Sequence, residues 1–529
     1  MNDYTKHLAS RVTSGGLSRR EFMGRAMAAG MTLALADTLF TESAMAAEPK
    51  HGGHLKLGLE GGAATDSKDP AKFLSQFMFC IGRCWGDMLV ESDPLTGAAV
   101  PSLAESWEPS KDAVTWTFKI RKGVKFHNGK DLTIDDVVAT LKRHTDSKSE
   151  SGALGVVKSI KEIKADGDNL VLTLTEGNAD MPLLLTDYHL VIQPNGGYDD
   201  PFASIGTGPY KLVTFEAGVR ATLEKNKDDW RKDRGYVDSI EIIGMNDATA
   251  RIAALSSGQV HYINRVDPKT VDLLKRAPNV EILATAGRGH YVFIMHCNTA
   301  PFDNNDLRMA LKYAMDRETM VKKILGGYGK VGNDFPINST YALFPEGIEQ
   351  RAYDPDKASF HYKKSGHSGS VLLRTSEVAF PGAVDAAVLY QESCKKAGIN
   401  IEVKREPGDG YWTNVWNVQP FSTSYWGGRP TQDQMYSTAY LSTADWNDTR
   451  FLRPDFDKLL LQARSELDET KRKEMYRSMA MMVRDEGGVI LPMFNDFVNA
   501  STKQVKGYVH DIGNDMSNGY VATRVWLDA

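Results

Sequence analysis

The stretch Ser424 to Tyr436, SYWGGRPTQDQMY, concentrates residue types that hold a small charged molecule. Tyr425 and Trp426 run into Gly427 and Gly428, and Arg429 follows. Two glycines let the backbone turn and approach a neighbour closely, and arginine adds a planar, permanently charged fork that matches a carboxylate. Trp412, Trp416, Tyr436, Tyr440 and Trp446 stand nearby, so four of the nine tryptophans fall within 35 residues. Aromatic walls with a few polar groups suit a concave ligand pocket. A large aromatic core is the plainer alternative, and it leaves the Gly-Gly-Arg turn without a reason. For Arg429 the competing arrangement is an internal ion pair with Asp433, Asp445 or Asp448, which would leave the pocket neutral.

Reaction chemistry finds no comparable support. SGHSGS at Ser365–Ser370 approaches a nucleophile elbow, but its last position is Ser and no strand-to-helix turn frames it. HGGH at His51–His54 is a two-histidine cluster in a polar segment, and neither an H-E-x-x-H nor a phosphate-cradling motif occurs. GTGP at Gly206–Pro209 lacks the third glycine of a dinucleotide loop. Cys80 and Cys84 share a helical face with Phe73, Phe77 and Met88 and read as a buried pair, with no further ligands at zinc spacing. No catalytic residue, cofactor or metal is therefore expected; an exported hydrolase or cofactor enzyme is the remote alternative.

The elements that position these residues follow from patterning. The chain has 529 residues and a formal net charge of −5, which gives no argument for nucleic acid as a partner. Residues 1–46 read as an export signal: Arg19-Arg20 precede Phe22-Met23, a short apolar run, and Ala44-Met45-Ala46 as the cleavage site. Ser-Arg-Arg-x-Phe-Met is similar to a twin-arginine signal. The roughly 480 residues beyond it are too many for one core and imply two or three domains. Strand-like and helix-like segments alternate throughout. Trp116, Phe118 and Ile120 alternate as in a half-buried strand, and Thr133 with Asp136 caps a helix facing inward through Val137, Val138 and Leu141. SVLLRTS, GAVDAAVLYQESCKKAGI and NIEVKREP form a β-α-β unit. Met475, Met479 and Met482 follow helical spacing as core filling. A boundary between lobes is expected near Gly287–His290.

Several segments together resemble the family 5 extracellular solute-binding proteins of ABC importers. They are VPSLAESWEPSKDAVTWTFKIRKGVKFHNGKDLTIDDVVATLKR, GTGPYKLVTFEAG, NTAPFDNNDLRMALKYAMDRETMVKKILGGYG and FDKLLLQARSELDETKRKEMYRSMAMMVRDEGGVILPMF. The resemblance implies an α/β, two-lobe periplasmic-binding-protein clamshell of type II, in the large three-domain subclass. Lobe 1 would comprise 48–90, 203–290 and 500–529, with an extra subdomain at 91–202, and lobe 2 would be 291–499. Crossings near Gly289 and Ala500 would act as hinges. It further implies a periplasmic monomer that shuts around a small-molecule solute and delivers it to the permease subunits of an importer. In peptide receptors of the family, the loop resembling Trp426–Arg429 carries an acid for the peptide's ammonium. Arg429 inverts that charge. The expected solute is thus anionic or peptide-like, such as an opine-like conjugate, a modified amino acid or a polycarboxylate. A conventional dipeptide or oligopeptide receptor is the alternative. Tyr425, Trp426, Gly427, Gly428 and Arg429 are the expected contacts, joined by Trp446 and Asn447, and by Gly61 and Gly62 after the first strand. His296 and Asn298 are expected to be structural.

Overall fold

The computed structural model describes residues 49–528 apart from 147, 409 and 410, together with Phe22, Arg25 and Ala26. The export signal and its cleavage site lie outside the described residues. No helix among the described residues is long and apolar enough to cross a membrane.

One 11-stranded sheet runs through the molecule. Its strands, in chain order, are β1 (His54–Leu59), β2 (Tyr210–Glu216), β3 (Arg220–Lys225), β4 (Ser239–Gly244), β5 (Tyr262–Ile263), β6 (Val280–Met295), β7 (Gly329–Val331), β8 (Val371–Thr375), β9 (Ile401–Arg405), β10 (Phe421–Trp426) and β11 (Val489–Thr502). Across the sheet the order is β9-β8-β10-β6-β11-β5-β1-β4-β3-β2, with β7 on β11. The molecule is mixed α/β, and β6 and β11 are the strands long enough to serve both lobes. Residues 280–286 of β6 pair only with β11, next to β5 and β1, whereas 290–295 also pair with β10. The register between β6 and β11 shifts between Ala286 and His290. Gly287 and Gly289 sit in that interval, where a Cβ would meet the carbonyl or side-chain oxygen of Asn495 at 2.7 Å. On β11, Ala500 pairs with Ile263 and Ile282, and β7 joins the same strand at Met493–Asn495.

Each half builds its own core. One cluster holds Leu55, Leu57 and the helix Gln76–Trp85, in which Cys80 and Cys84 are buried and unbridged. It continues into a four-stranded subdomain sheet (Ala104–Pro109, Thr115–Ile120, Asn169–Leu174, Ile160–Asp166), where Trp116, Phe118 and Ile120 are buried. The helix Ile134–Thr145 packs beside it, started by a Thr133–Asp136 capping box in which both partners are satisfied. The other half has apolar clusters around Phe293 and around Val292, and Met479 with its neighbours Met475 and Met482 fills the second of these. Val371–Thr375, the helix Ala383–Lys395 and Ile401–Arg405 form the β-α-β unit with parallel pairing.

Candidate functional site

A cleft of about 990 Å³ lies between the two halves, lined by the loop Gly427–Pro430, by Arg83 and Ser92, and by subdomain residues 176–189. Its position follows from topology. β8, β9 and β10 run in one direction in lobe 2, and β1, β4 and β5 do so in lobe 1. In open α/β sheets the crevice forms beyond the carboxyl ends of such strands. Of the loops there, the one that begins at Gly427 after β10 lines the cleft.

The loop after β10 is held rigidly from below. Gly428 has φ +76°, and a Cβ on it would meet the Cβ of Arg288 at 2.5 Å, so both its conformation and its packing require glycine. Arg288, from the register-shifted interval of β6, donates through Nη1 to the carbonyls of Pro430 (2.8 Å) and Arg429 (3.3 Å), and through Nη2 to that of Thr340 (2.8 Å). The Tyr341 hydroxyl accepts from the Arg429 amide at 3.1 Å. A Cβ on Gly427 would meet nothing within 4 Å, so this position faces open space.

Arg429 lines the cleft half-buried. Its Nη1 donates to the Gly428 carbonyl at 2.7 Å, and its guanidinium lies 5.6 Å from the Trp426 ring centroid. Among the described residues it forms no ion pair. Each acid considered as a partner is engaged elsewhere or turned to solvent. Asp433 accepts from Arg464 Nε at 3.1 and 3.2 Å, and burial pushes its carboxyl up to about 6 against the pull of Arg464. Asp448 accepts from the indoles of Trp416 (3.0 Å) and Trp426 (3.3 Å). Asp445 is exposed. Arg83, Lys158 and Arg288 also line the cleft, and among the described residues none of them has a carboxylate in ion-pair contact. The acids of the same lining, Glu176, Asp187 and Asp433, contact Arg464 or His189, so these four cations line the cleft without an ion-pair contact of their own among the described residues.

The remaining expected contacts sort unequally. Tyr425 is 51% and Trp446 49% exposed, on the aromatic edge next to the loop. Asn447 sits differently from these two rings. It is buried, its Nδ2 donates to the carbonyls of Tyr440, Leu441 and Phe451, and its Oδ1 accepts from Thr449 and the Phe451 amide. All its polar capacity is spent holding the chain turn, so it supports Trp446 and has nothing left for a solute. Gly61 and Gly62 stand at the end of β1 but do not line the cleft just described. The Asn246 amide grips them, accepting from the Gly61 N–H at 2.9 Å and donating to the Gly62 carbonyl at 2.8 Å. A Cβ on Gly62 would strike the Gly218 carbonyl at 2.6 Å. Sequence reasoning missed Arg288, Arg83 and the subdomain wall. The run Gly287-Arg288-Gly289-His290 carried the one visible signal, a charge between two glycines at the crossing.

The family described as bacterial extracellular solute-binding proteins, family 5 Middle, matches residues 98–448. A dipeptide-binding protein of Escherichia coli is 24% identical over 461 residues, covering 80% of this chain and 86% of that protein. Among solved structures, HbpA2 from Haemophilus parasuis superposes with a TM-score of 0.79 at 20% identity, over 90% of this chain and 100% of that one. AgaA from A. tumefacien R10, in complex with agropinic acid, gives 0.70 at 23% identity over 90% and 99%. The two-lobe architecture, the hinge strands and these matches agree: the chain belongs to the family 5 bacterial extracellular solute-binding proteins.

Proposed function

We propose that this chain is the exported, solute-capturing partner of an ABC importer permease, and that its solute presents a carboxylate or similar anion to Arg429. The observation that carries this reading is a guanidinium in the cleft-lining loop with no acidic partner among the described residues, although Asp433, Asp445 and Asp448 follow it within nineteen residues in sequence. A carboxylate placed there receives charge-assisted hydrogen bonds from an arginine already ordered by its loop. An ammonium 4 Å away would instead be repelled by about 4 kcal/mol at the effective dielectric of a partly buried site. Opine-like conjugates, modified amino acids, acidic peptides and polycarboxylates fit this requirement. Solute docked on one lobe draws the other over it through the crossings of β6 and β11, and the closed form is what a permease reads.

Calorimetric titration tests the assignment with matched carboxylate and amide pairs from these classes. The carboxylate member is expected to bind, and Arg429→Asp to weaken it by about a hundredfold or more. A bound solute at a hundredfold excess over Kd raises stability by about 2.7 kcal/mol, so thermal shift gives the same ranking. Unchanged affinity in Arg429→Asp removes the assignment. The relative that is named a dipeptide-binding protein favours one second reading, an ordinary peptide receptor. Under that reading free dipeptides bind and N-acetylation abolishes binding, whereas under ours acetylation leaves it intact or strengthens it.

A further inference from the structure

The aromatic residues beside the loop form a connected arc. β8 pairs with β10 only through Arg374 and Ser422, so the last residues of β10 have no ladder partner on that side. Rings wrap this free edge. Tyr425 meets Trp412 edge-on at 5.6 Å, Trp412 meets Trp416 at 5.9 Å, Trp416 meets Trp446 at 6.3 Å, and Trp446 meets Trp426 at 6.2 Å. The far end of the arc is the Arg429 guanidinium over Trp426. Trp412, Tyr425 and Trp446 are between 38% and 51% exposed, and they are held by their neighbours rather than packed in a core.

Beneath the arc lies Asp448, 1% exposed, with no cation in ion-pair contact among the described residues. Its Oδ2 accepts both indole N–H groups, from Trp416 and Trp426. A buried carboxylate held only by neutral donors is a costly way to fill space, since an apolar side chain would do that without desolvating a charge. What this arrangement adds is orientation: one acceptor fixes the planes of two tryptophans, and these hold Trp446 and Trp412 through ring contacts.

We propose that the exposed rings of Trp412, Tyr425 and Trp446, backed by the more buried Trp416 and Trp426 that Asp448 holds as a positioning residue, form a recess which takes a flat unsaturated group of the solute whose anionic end reaches Arg429. This rests on the anion reading of Arg429 for the second half of the solute only. Electron-rich ring faces also attract cations, but the neighbouring guanidinium disfavours a cationic occupant. Offset and edge-on ring contacts favour a planar π group over a saturated ring of the same size.

The test compares hippurate (N-benzoylglycine) with N-cyclohexanecarbonylglycine, which share carboxylate and amide and differ only in ring saturation. N-benzoylglycinamide and choline complete the set, all titrated by calorimetry with tryptophan fluorescence as a second signal. Hippurate is expected to bind about tenfold tighter than its saturated partner. Trp446→Ala and Trp412→Ala should each bring that ratio close to one. Asp448→Asn should lower the ratio while the far-ultraviolet dichroism stays unchanged, an outcome a merely structural aspartate would not give. Equal binding of the pair by the wild-type protein, binding of neither, a ratio untouched by either tryptophan variant, or choline as the tightest ligand overturns the recess. Arg429→Gln separates the two readings: it should weaken both conjugates alike and leave their ratio standing. If it weakens neither while the ring preference persists, the anion assignment falls and the recess stands.

Discussion

Asp334 and Asp448 are both buried carboxylates in lobe 2, yet the protein treats them in opposite ways. Asp334 has no exposed surface; both its oxygens accept from Arg317 at 2.6 Å and one accepts from the Leu491 amide at 3.0 Å, while Arg351 Nε lies in ion-pair contact at 2.9 Å. Burial pushes its carboxyl up, and the Arg317 and Arg351 guanidiniums override that push to hold it below the usual carboxylate range. Asp448 has no ion-pair contact among the described residues, and burial carries its carboxyl up to about 7 against the pull of the two indoles and the nearby Arg450 charge. The charge of Asp334 is therefore neutralised where it sits, whereas Asp448, buried behind the exposed rings, and Arg429, on the wall of the cleft, have no ion-pair contact among the described residues. Lobe 2 thus closes off one ionic group inside and leaves another, in the loop after β10, open to an incoming molecule.

The largest expected effect breaks the closed side of this contrast. Asp334→Asn leaves Arg317 buried without its anion, and Arg351 with Asp485 alone, beside Lys312, whose ammonium burial already pulls down to about 7. Removing one partner of such a cluster costs about 3–5 kcal/mol. Urea denaturation near neutral pH reads this directly, and a loss under about 1 kcal/mol would make the two aspartates equivalent after all.

Asp448→Asn probes the open side, and its sign depends on pH. A carboxyl whose folded pKa is raised from the model-peptide range to about 7 keeps its proton longer in the folded state than in the unfolded one. Stability then falls as pH rises from about 4 to about 7, and each unit of separation is worth about 1.4 kcal/mol. Relative to Asp448→Asn, the wild-type protein should lose about 2–4 kcal/mol across that window. Denaturation curves of both proteins at about pH 5 and about pH 8 measure the difference, and parallel behaviour would show that the indoles compensate the charge fully.

How much of this was legible beforehand depends on the distance over which a signal acts. The Thr133–Asp136 box, the alternation of Trp116, Phe118 and Ile120, and the 371–405 β-α-β unit are local patterns, and they appear as read. The loop at Gly427–Arg429 was visible because a charge in a glycine turn is locally anomalous. Arg288, which pins that loop from 141 residues away, left only a weak trace, because pairing between distant side chains writes no period into the chain. Asp448 was read as a candidate counterion for Arg429. Its true partners are two indoles, and nothing in residue spacing distinguishes an aspartate that accepts from tryptophan from one that pairs with arginine. The backbone partners of Asn447 were hidden for the same reason: they depend on how the turn closes and leave no mark on residue spacing.

The smallest effect concerns the ion pairs that bridge the subdomain and lobe 2. Arg464, at the end of the helix Pro454–Ser465, holds buried Asp433 through Nε and reaches Glu176 at 2.7 Å through Nη1, while its carbonyl accepts from the Ala179 amide. Arg472 makes a second bridge to Asp180 at 2.7 Å, with both side chains largely buried. Unlike Arg429, Arg464 has two acids, and Glu176 is 58% exposed. Glu176→Gln thus removes a solvent-screened partner and leaves Arg464 compensated by Asp433, so the expected cost is under about 1 kcal/mol and shrinks further as salt is raised. Solute affinity should change by less than about fivefold, because a ligand-linked closure equilibrium shifts by no more than the energy removed. A loss comparable to that of Asp334→Asn would move this contact from the moving interface into the scaffold, and the division between closed and open charge in lobe 2 would have to be redrawn around Arg464.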